Sequence, residues 1–497
     1  MRLTVEKYWS AMWLYTVPAA FLLTLVVIAG STVNDTSPLK SVVMIVALGA
    51  GLFGAVKVAA RADVALVFLI VLVWGNISQV LGRFHGIPGV FHLALIAILV
   101  ATFRDLQTRR VDPGKISLLW LPALAYTLFP LFSATRAIDP SVALENSAEL
   151  MKAFILFFLV VLLVNSPDRL RTAIWSMAIA SATLSMLGIV QQLTGMSLGE
   201  MGGFARVKHA QIVGDLFGNR LAGPIGDPGF FGQLLVLSSP PILSLLLTEK
   251  DRRMKLLALI CLVLTMLGVG LTYTRGSMIV LLFVSVLSLF SFRLVRWRHV
   301  PLILASAALA LLLLSGNIGQ RLATVAEAVP GHENSLHPDS SIELRWLFAN
   351  TAVQMFADNP LTGVGSGNYS VNYDQYADKA GSDARHYGDA DEGHFAHNLF
   401  LETAAETGLT GLFLLGALLI SALWSAQASA ARVVKQEPGL AISALALRNS
   451  TLAYLLTGML LHGHFQRPVF IVIGLIAALA SFTASPGKIT DSGVPGR

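Results

Sequence analysis

The chain has 497 residues, 55% of them hydrophobic and only 13% charged, with a mean hydropathy of +0.69. These values exclude a soluble globular domain and a disordered chain, and they require a polytopic membrane protein. The net charge of +6 implies no nucleic-acid partner, because the basic residues gather in short loops between apolar runs.

Taken in chain order, spans are expected at 11–30, 41–56, 64–81, 89–103, 118–134, 153–164, 173–193, 230–248, 256–273, 277–292, 301–317, 398–426, 449–463 and 468–483. The expected fold is an all-α polytopic membrane protein with about 12–14 transmembrane helices and a large periplasmic loop containing an amphipathic helix. The first run has no small-x-small cleavage site and further spans follow it, so it reads as an uncleaved anchor. If the spans alternate, about 22 of the 35 Lys and Arg fall on one side, Arg110, Arg253 and Arg448 among them. That bias makes the side cytoplasmic and puts both termini inside. Cys261 is alone and mid-span, a packed core residue, which excludes a disulfide framework.

Three parts follow from this pattern: N-terminal spans over 1–193, a core over 194–426, and a C-terminal pair of spans with a cytoplasmic tail over 427–497. The core carries the two long outside loops, 194–229 and 318–397, where function is expected. In the second loop, Leu344, Leu347, Phe348, Ala352, Met355 and Phe356 recur at spacings of three and four, which predicts a helix ending before Pro360. It either lies on the outer leaflet or merely closes the loop. Gly363, Gly365 and Gly367 then permit a tight turn. Tyr369, Tyr373 and Tyr376 read first as interface anchors and second as stacking platforms for sugars.

Arginines kept outside run against the positive-inside bias. Arg275 occupies a short turn in "LTYTRGSMIV", Arg220 precedes a span in "GNRLAGPIGDPGFF" together with Asp227, and Arg345 sits on the amphipathic helix. Each alone could snorkel to a lipid phosphate, but together they suit a diphosphate ligand, since guanidinium forks pair bidentately with phosphate oxygens. Where the second loop enters the next span stand His394, His397, Glu402 and Glu406, the last two one helical turn apart. The acidic run Asp389, Asp391, Glu392 beside them has no known metal-ligand spacing, so no metal is expected.

The segments "RLAGPIGDPGFF", "TYTRGS", "LRWLFANTAVQMFADNPLTGVGSGNYS" and "HNLFLETAAETGLTGLFLL", in this order over about residues 200–426, resemble the O-antigen ligase superfamily. That superfamily includes O-antigen ligases, O-antigen and exopolysaccharide polymerases and some protein-glycosylating transferases. Gly229 stands where the family often has Asn. The resemblance implies a metal-independent, cofactor-free glycosyltransferase of the bacterial cell inner membrane, with its active site on the periplasmic side. Its donor would be a glycan on undecaprenyl diphosphate. The acceptor would be a sugar hydroxyl of lipid A core in a ligase, or of a second lipid-linked glycan in a polymerase, the alternative reading. By residue, the family's essential histidine maps onto His397, its phosphate-binding arginines onto Arg275 and Arg220, and less directly onto Arg345.

Elementary chemistry agrees with that assignment. Diphosphate leaves without a general acid, so the reaction needs a base and a clamp. A histidine can accept the acceptor's proton near neutral pH, while arginines stabilise charge on the diphosphate. His394, Glu402, Glu406 and Asp227 would support these groups. A secondary transporter fits less well: the spans are nearly charge-free at their centres and show no repeat.

Overall fold

The computed structural model describes residues 58–87, 89–108, 117–194, 199–213, 216–293, 340–380, 394–463 and 466–484. The spans expected at 11–30, 41–56 and 301–317 lie outside the described residues, as does the acidic run at Asp389, Asp391 and Glu392. Among the described residues seven helices are long and apolar enough to cross a membrane, eight if a bent pair counts as one span, and two shorter apolar helices accompany them. The protein is an all-α polytopic membrane protein. Strand is confined, among the described residues, to one two-stranded sheet, Arg206–Val213 with Leu216–Gly223 (β1 and β2), in the loop expected at 194–229.

The chain divides into two compact units. The first holds α1 (Ala62–Trp74), α2 (Ile77–His85), α3 (Val90–Thr108), α6 (Pro167–Thr194), α7 (Pro228–Thr248) and α8 (Arg252–Leu271). The span expected at 64–81 is broken: α1 and α2 meet at 58°, with Asn76 between them in left-handed backbone at φ 44°. In α7, 83% of the apolar window is buried, so this helix faces protein rather than lipid. Its Ser238 hydroxyl accepts from Trp74 Nε1 and from Ser181 Oγ, each at 2.9 Å, which pairs the polar atoms an apolar interior would penalise. Cys261 is buried, as expected.

The second unit holds α4 (Trp120–Ser133), most of α5 (Pro140–Leu163), α9 (Arg275–Ser291), α10 (Ser340–Asp358), α11 (Tyr369–Ala380), α12 (Leu399–Val433), α13 (Pro438–Gly458) and α14 (Arg467–Thr483). The long helix α12 is central and packs on α4, α10, α13 and α14. Two expected boundaries are corrected. First, α5 begins at Pro140 rather than near 153, because its first three turns are polar on one face yet good helix formers, and hydropathy alone stops at polar residues. Second, α13 runs Pro438–Gly458 rather than 449–463. Arg448, expected in a cytoplasmic loop, therefore lies in mid-helix. There Arg448 Nη2 donates to Ser291 Oγ at 2.7 Å and Asn449 Nδ2 donates to Ser288 Oγ at 3.0 Å, both on α9.

The expected amphipathic helix is α10, and it closes the loop. Phe348, Ala352 and Met355 are buried with Val364, Tyr369, Tyr373, Tyr376 and Ala405 in one core. The tyrosines are thus neither interface anchors nor a sugar platform. Tyr369 and Tyr373 are each 1% exposed, and Tyr369 Oη donates to the Phe348 carbonyl at 2.7 Å. The loop had enough apolar surface to build a core of its own, which takes precedence over the lipid interface.

Candidate active site

The start of α12 is fixed by its sequence. Asn398 caps the helix, accepting from the Phe400 and Leu401 N–H groups at 3.0 and 3.1 Å. Immediately before it, His397 has φ +49°, a left-handed conformation that a non-glycine residue adopts at a cost and that concentrates at functional sites. Glu402, buried one turn into α12, spans back: its Oε2 accepts the Ala396 N–H at 3.0 Å and its Oε1 accepts the Gly463 N–H at 3.1 Å. Those two backbones carry His397 and His462 as neighbouring residues. The rings of His397 and His462 lie 5.6 Å apart and nearly perpendicular, at 84°.

Rings enclose this pair. Phe395 stacks on His462 at 4.0 Å, and Phe348 contacts His397 at 5.7 Å and His394 at 5.9 Å. The His394 ring lies flat on Tyr373 at 3.9 Å and 2°, and its backbone N–H donates to Ser370 Oγ at 3.1 Å. Burial lowers the His394 imidazole below the ordinary histidine range, against a smaller upward pull from Asp374. Burial likewise pushes the Tyr373 hydroxyl up to about 12, with Asp374 adding to it.

The glycine-rich turn serves the same end of α12. At Gly408 the helix breaks (φ 66°, ψ −166°), and residues 360–365 pair with its opened backbone. Val364 N–H donates to the Ala405 carbonyl and Gly365 N–H to the Glu406 carbonyl, both at 2.9 Å, while Leu409 N–H donates to the Pro360 carbonyl at 2.7 Å. The Glu406 carboxyl Oε1 accepts the N–H of Tyr369, first residue of α11, at 3.2 Å, which satisfies one of the donors left open at a helix start. Two motifs that the sequence shows far apart are one piece of structure.

Beside the histidines lies a cavity of about 260 Å³, lined by Phe395, Glu402, Glu406 and Gln466, and from α5 by Glu145, Asn146 and Glu149. Arg467 pairs with Glu149, which also holds Lys152 at 2.6 Å. These α5 residues precede the span expected at 153–164 and were not among the candidate site residues, although their i, i+1, i+4 spacing puts them within one arc of a helix.

Of the residues singled out from sequence, His394, His397, Glu402 and Glu406 come together here. Arg275 opens α9, after Tyr273 in left-handed backbone at φ 50°. The next residue, Gly276, is so close to the turn after α13 that a Cβ would lie 2.5 Å from Leu460 Cδ1, which sets the start of α9 beside the His462 turn. Arg345 is exposed on α10. Arg220 and Asp227 belong to the first unit: Arg220 Nε donates to the Thr272 carbonyl at 3.1 Å, and Asp227 caps α7 by accepting the Phe230 N–H at 2.9 Å. Among the described residues no cluster of three His, Cys, Asp or Glu is placed to hold a metal ion. Sequence reading missed His462, absorbed into a span, although "LLHGHFQRP" sets two histidines and an arginine between apolar runs.

Residues 260–416 match the family model described as O-antigen ligase, Wzy_C. Over this segment, about a third of its length, the chain is similar to the O-antigen ligase family. No curated protein matches the chain. The matched segment takes in Arg275, Arg345, His394, His397, Glu402 and Glu406, and leaves out Arg220, Glu149 and His462. The O-antigen ligase family comprises ligase- and polymerase-type glycosyltransferases acting on lipid-linked glycans in a membrane, and the span-rich fold agrees with that setting.

Proposed function

We propose that the protein transfers a glycan from undecaprenyl diphosphate to a sugar hydroxyl of an acceptor such as lipid A core, on the periplasmic face of the bacterial inner membrane. The observation that supports this reading is His397, held in left-handed backbone where the loop enters α12. Its imidazole takes the proton of the acceptor hydroxyl as that oxygen bonds to the anomeric carbon. The bond from this carbon to the diphosphate oxygen breaks on the opposite face, which inverts the centre. Its electron pair goes to the diphosphate, whose charge Arg275, Arg220 and Arg345 balance.

The neighbouring cavity supports the division of labour. Its carboxyl and carboxamide groups suit the hydroxyls of a sugar. A polymerase, with a lipid-linked glycan as acceptor, uses the same chemistry and is the second reading. Purified protein given lipid-linked glycan alone should leave it unchanged and should consume it once lipid A core is added. Chain growth without added core would establish the polymerase, and no transfer in either mixture would sink the transferase reading.

A further inference from the structure

A base that has accepted a proton must release it before the next turnover, and His397 has an imidazole neighbour placed for that step. His462 lies in the turn between α13 and α14, outside the segment that matches the O-antigen ligase family. Its ring stands edge-on to that of His397, with centroids 5.6 Å apart, a separation from which rotation of the His397 ring alone brings two ring nitrogens toward proton-transfer reach.

The placement is over-determined. Phe395 stacks on His462 at 4.0 Å and 10°, which fixes the plane of the ring. Gly463 N–H is held by the same Glu402 carboxylate that holds Ala396 N–H, so one side chain sets the distance between the two histidine-bearing backbones. Gln466 Nε2 donates to the Gly463 carbonyl at 2.9 Å and closes the turn. A Cβ on Gly463 would lie 3.1 Å from Leu399 Cδ1, so the turn sits tightly against the first residue of α12. Packing alone would be served by any flat ring at this position. A buried carboxylate that braces both backbones is spent on relative position, which matters when two rings must exchange a proton.

We propose that His462 is a relay for His397: it receives the proton that His397 removes from the acceptor hydroxyl and passes it to water. This rests on the reading of His397 as base. In the full step the acceptor O–H bond breaks, the acceptor oxygen bonds to the anomeric carbon, and the carbon–diphosphate bond breaks with its electron pair on the diphosphate. The proton moves from His397 to His462 to solvent, and both imidazoles end neutral. His462 acts through His397 and does not touch the sugar.

The test compares His462→Phe, which keeps a flat ring against Phe395, with His462→Ala, which leaves a space, in full-length protein supplied with donor and acceptor. Both should lose about 10- to 100-fold in kcat, less than the ~10²–10⁴ expected on removing the base itself, with KM for each substrate unchanged. Added imidazole should restore much of the kcat of His462→Ala and none of that of His462→Phe. The relay is overturned if His462→Phe turns over at the parental rate, or if imidazole does nothing for a His462→Ala protein that melts at the parental temperature. Should His462→Ala fail to fold, the parental or reduced rate of His462→Phe decides alone. His397→Ala is measured in parallel. If it is inactive while His462→Phe is fully active, only the relay falls; if it is fully active, the assignment of the base falls as well.

Discussion

Glu402 and Gly463 are joined across the turn that follows α13, with Oε1 accepting the N–H at 3.1 Å while the other carboxylate oxygen takes Ala396 N–H at 3.0 Å. A side chain with both oxygens committed to backbone is a brace. In Glu402→Gln the amide keeps one acceptor and turns its NH₂ against the second N–H, leaving a buried donor unpaired at a cost of ~1–3 kcal/mol. We expect transfer to fall about tenfold or more while binding of lipid-linked donor, which depends on phosphate contacts, stays within about twofold. Glu402→Asp, too short to reach both partners, should behave alike. Parental turnover in both variants would remove the brace from the mechanism.

Gly408 and Gly363 tolerate no side chain. A Cβ on Gly408 would lie 2.3 Å from the Leu361 carbonyl carbon and one on Gly363 would lie 2.2 Å from that of Glu406, both at positive φ. Gly408→Ala and Gly363→Ala should each destabilise by about 2 kcal/mol or more, visible as a lower melting temperature in detergent. Gly416→Ala, at a position in α12 where a Cβ meets nothing within 4 Å, is the control and should melt at or slightly above the parental temperature. Equal melting of all three would contradict the inserted 360–365 backbone.

The His394–Tyr373 stack carries a pH dependence. Because burial holds the folded imidazole below its ordinary value of about 6.5, the unfolded chain binds the proton better between the two values. Stability is therefore full above about pH 6.5 and is lost as the pH falls through it. Melting followed from pH 7.5 down to pH 5 should show a smaller fall in His394→Phe, which keeps the stack without the proton site, than in the parent. An identical fall in the two would assign the acid sensitivity elsewhere.

Arg275 and Arg220 are expected to act on the donor. Alanine at either should weaken donor binding as well as turnover, and lysine should rescue only in part, having charge without the planar fork. If these guanidinium groups balance the diphosphate, a strong chelator should leave the rate unchanged. Activity lost to chelator and recovered with one divalent ion would assign that work to a metal.

What sequence could show here depended on the kind of signal. His397, Glu402 and Glu406 were legible because ionisable groups stand out against an apolar run. Arg275 stood out in the sequence because a charge in so short a turn between apolar runs is costly. The face of α5 with Glu145, Asn146 and Glu149 was hidden, since hydropathy marks where a helix is apolar and not where it is helical. His462 was lost to a boundary error of a few residues at the end of α13. The burial of Tyr369 and Tyr373 depends on Phe348 and Met355 folding over them, a tertiary fact that no local pattern contains.

The pairing of 360–365 with 405–409 also sets an order of assembly. The glycine-rich segment leaves the ribosome before the stretch of α12 that receives it, and the Glu402 brace waits longer still, for Gly463 beyond α13. During biogenesis the loop thus has no docking partner until α12 has been delivered to the bilayer, and the histidines have no fixed spacing until the following helix is inserted too. A nascent chain halted short of α13 would contain His397, Arg275 and the glycines, and would remain catalytically silent.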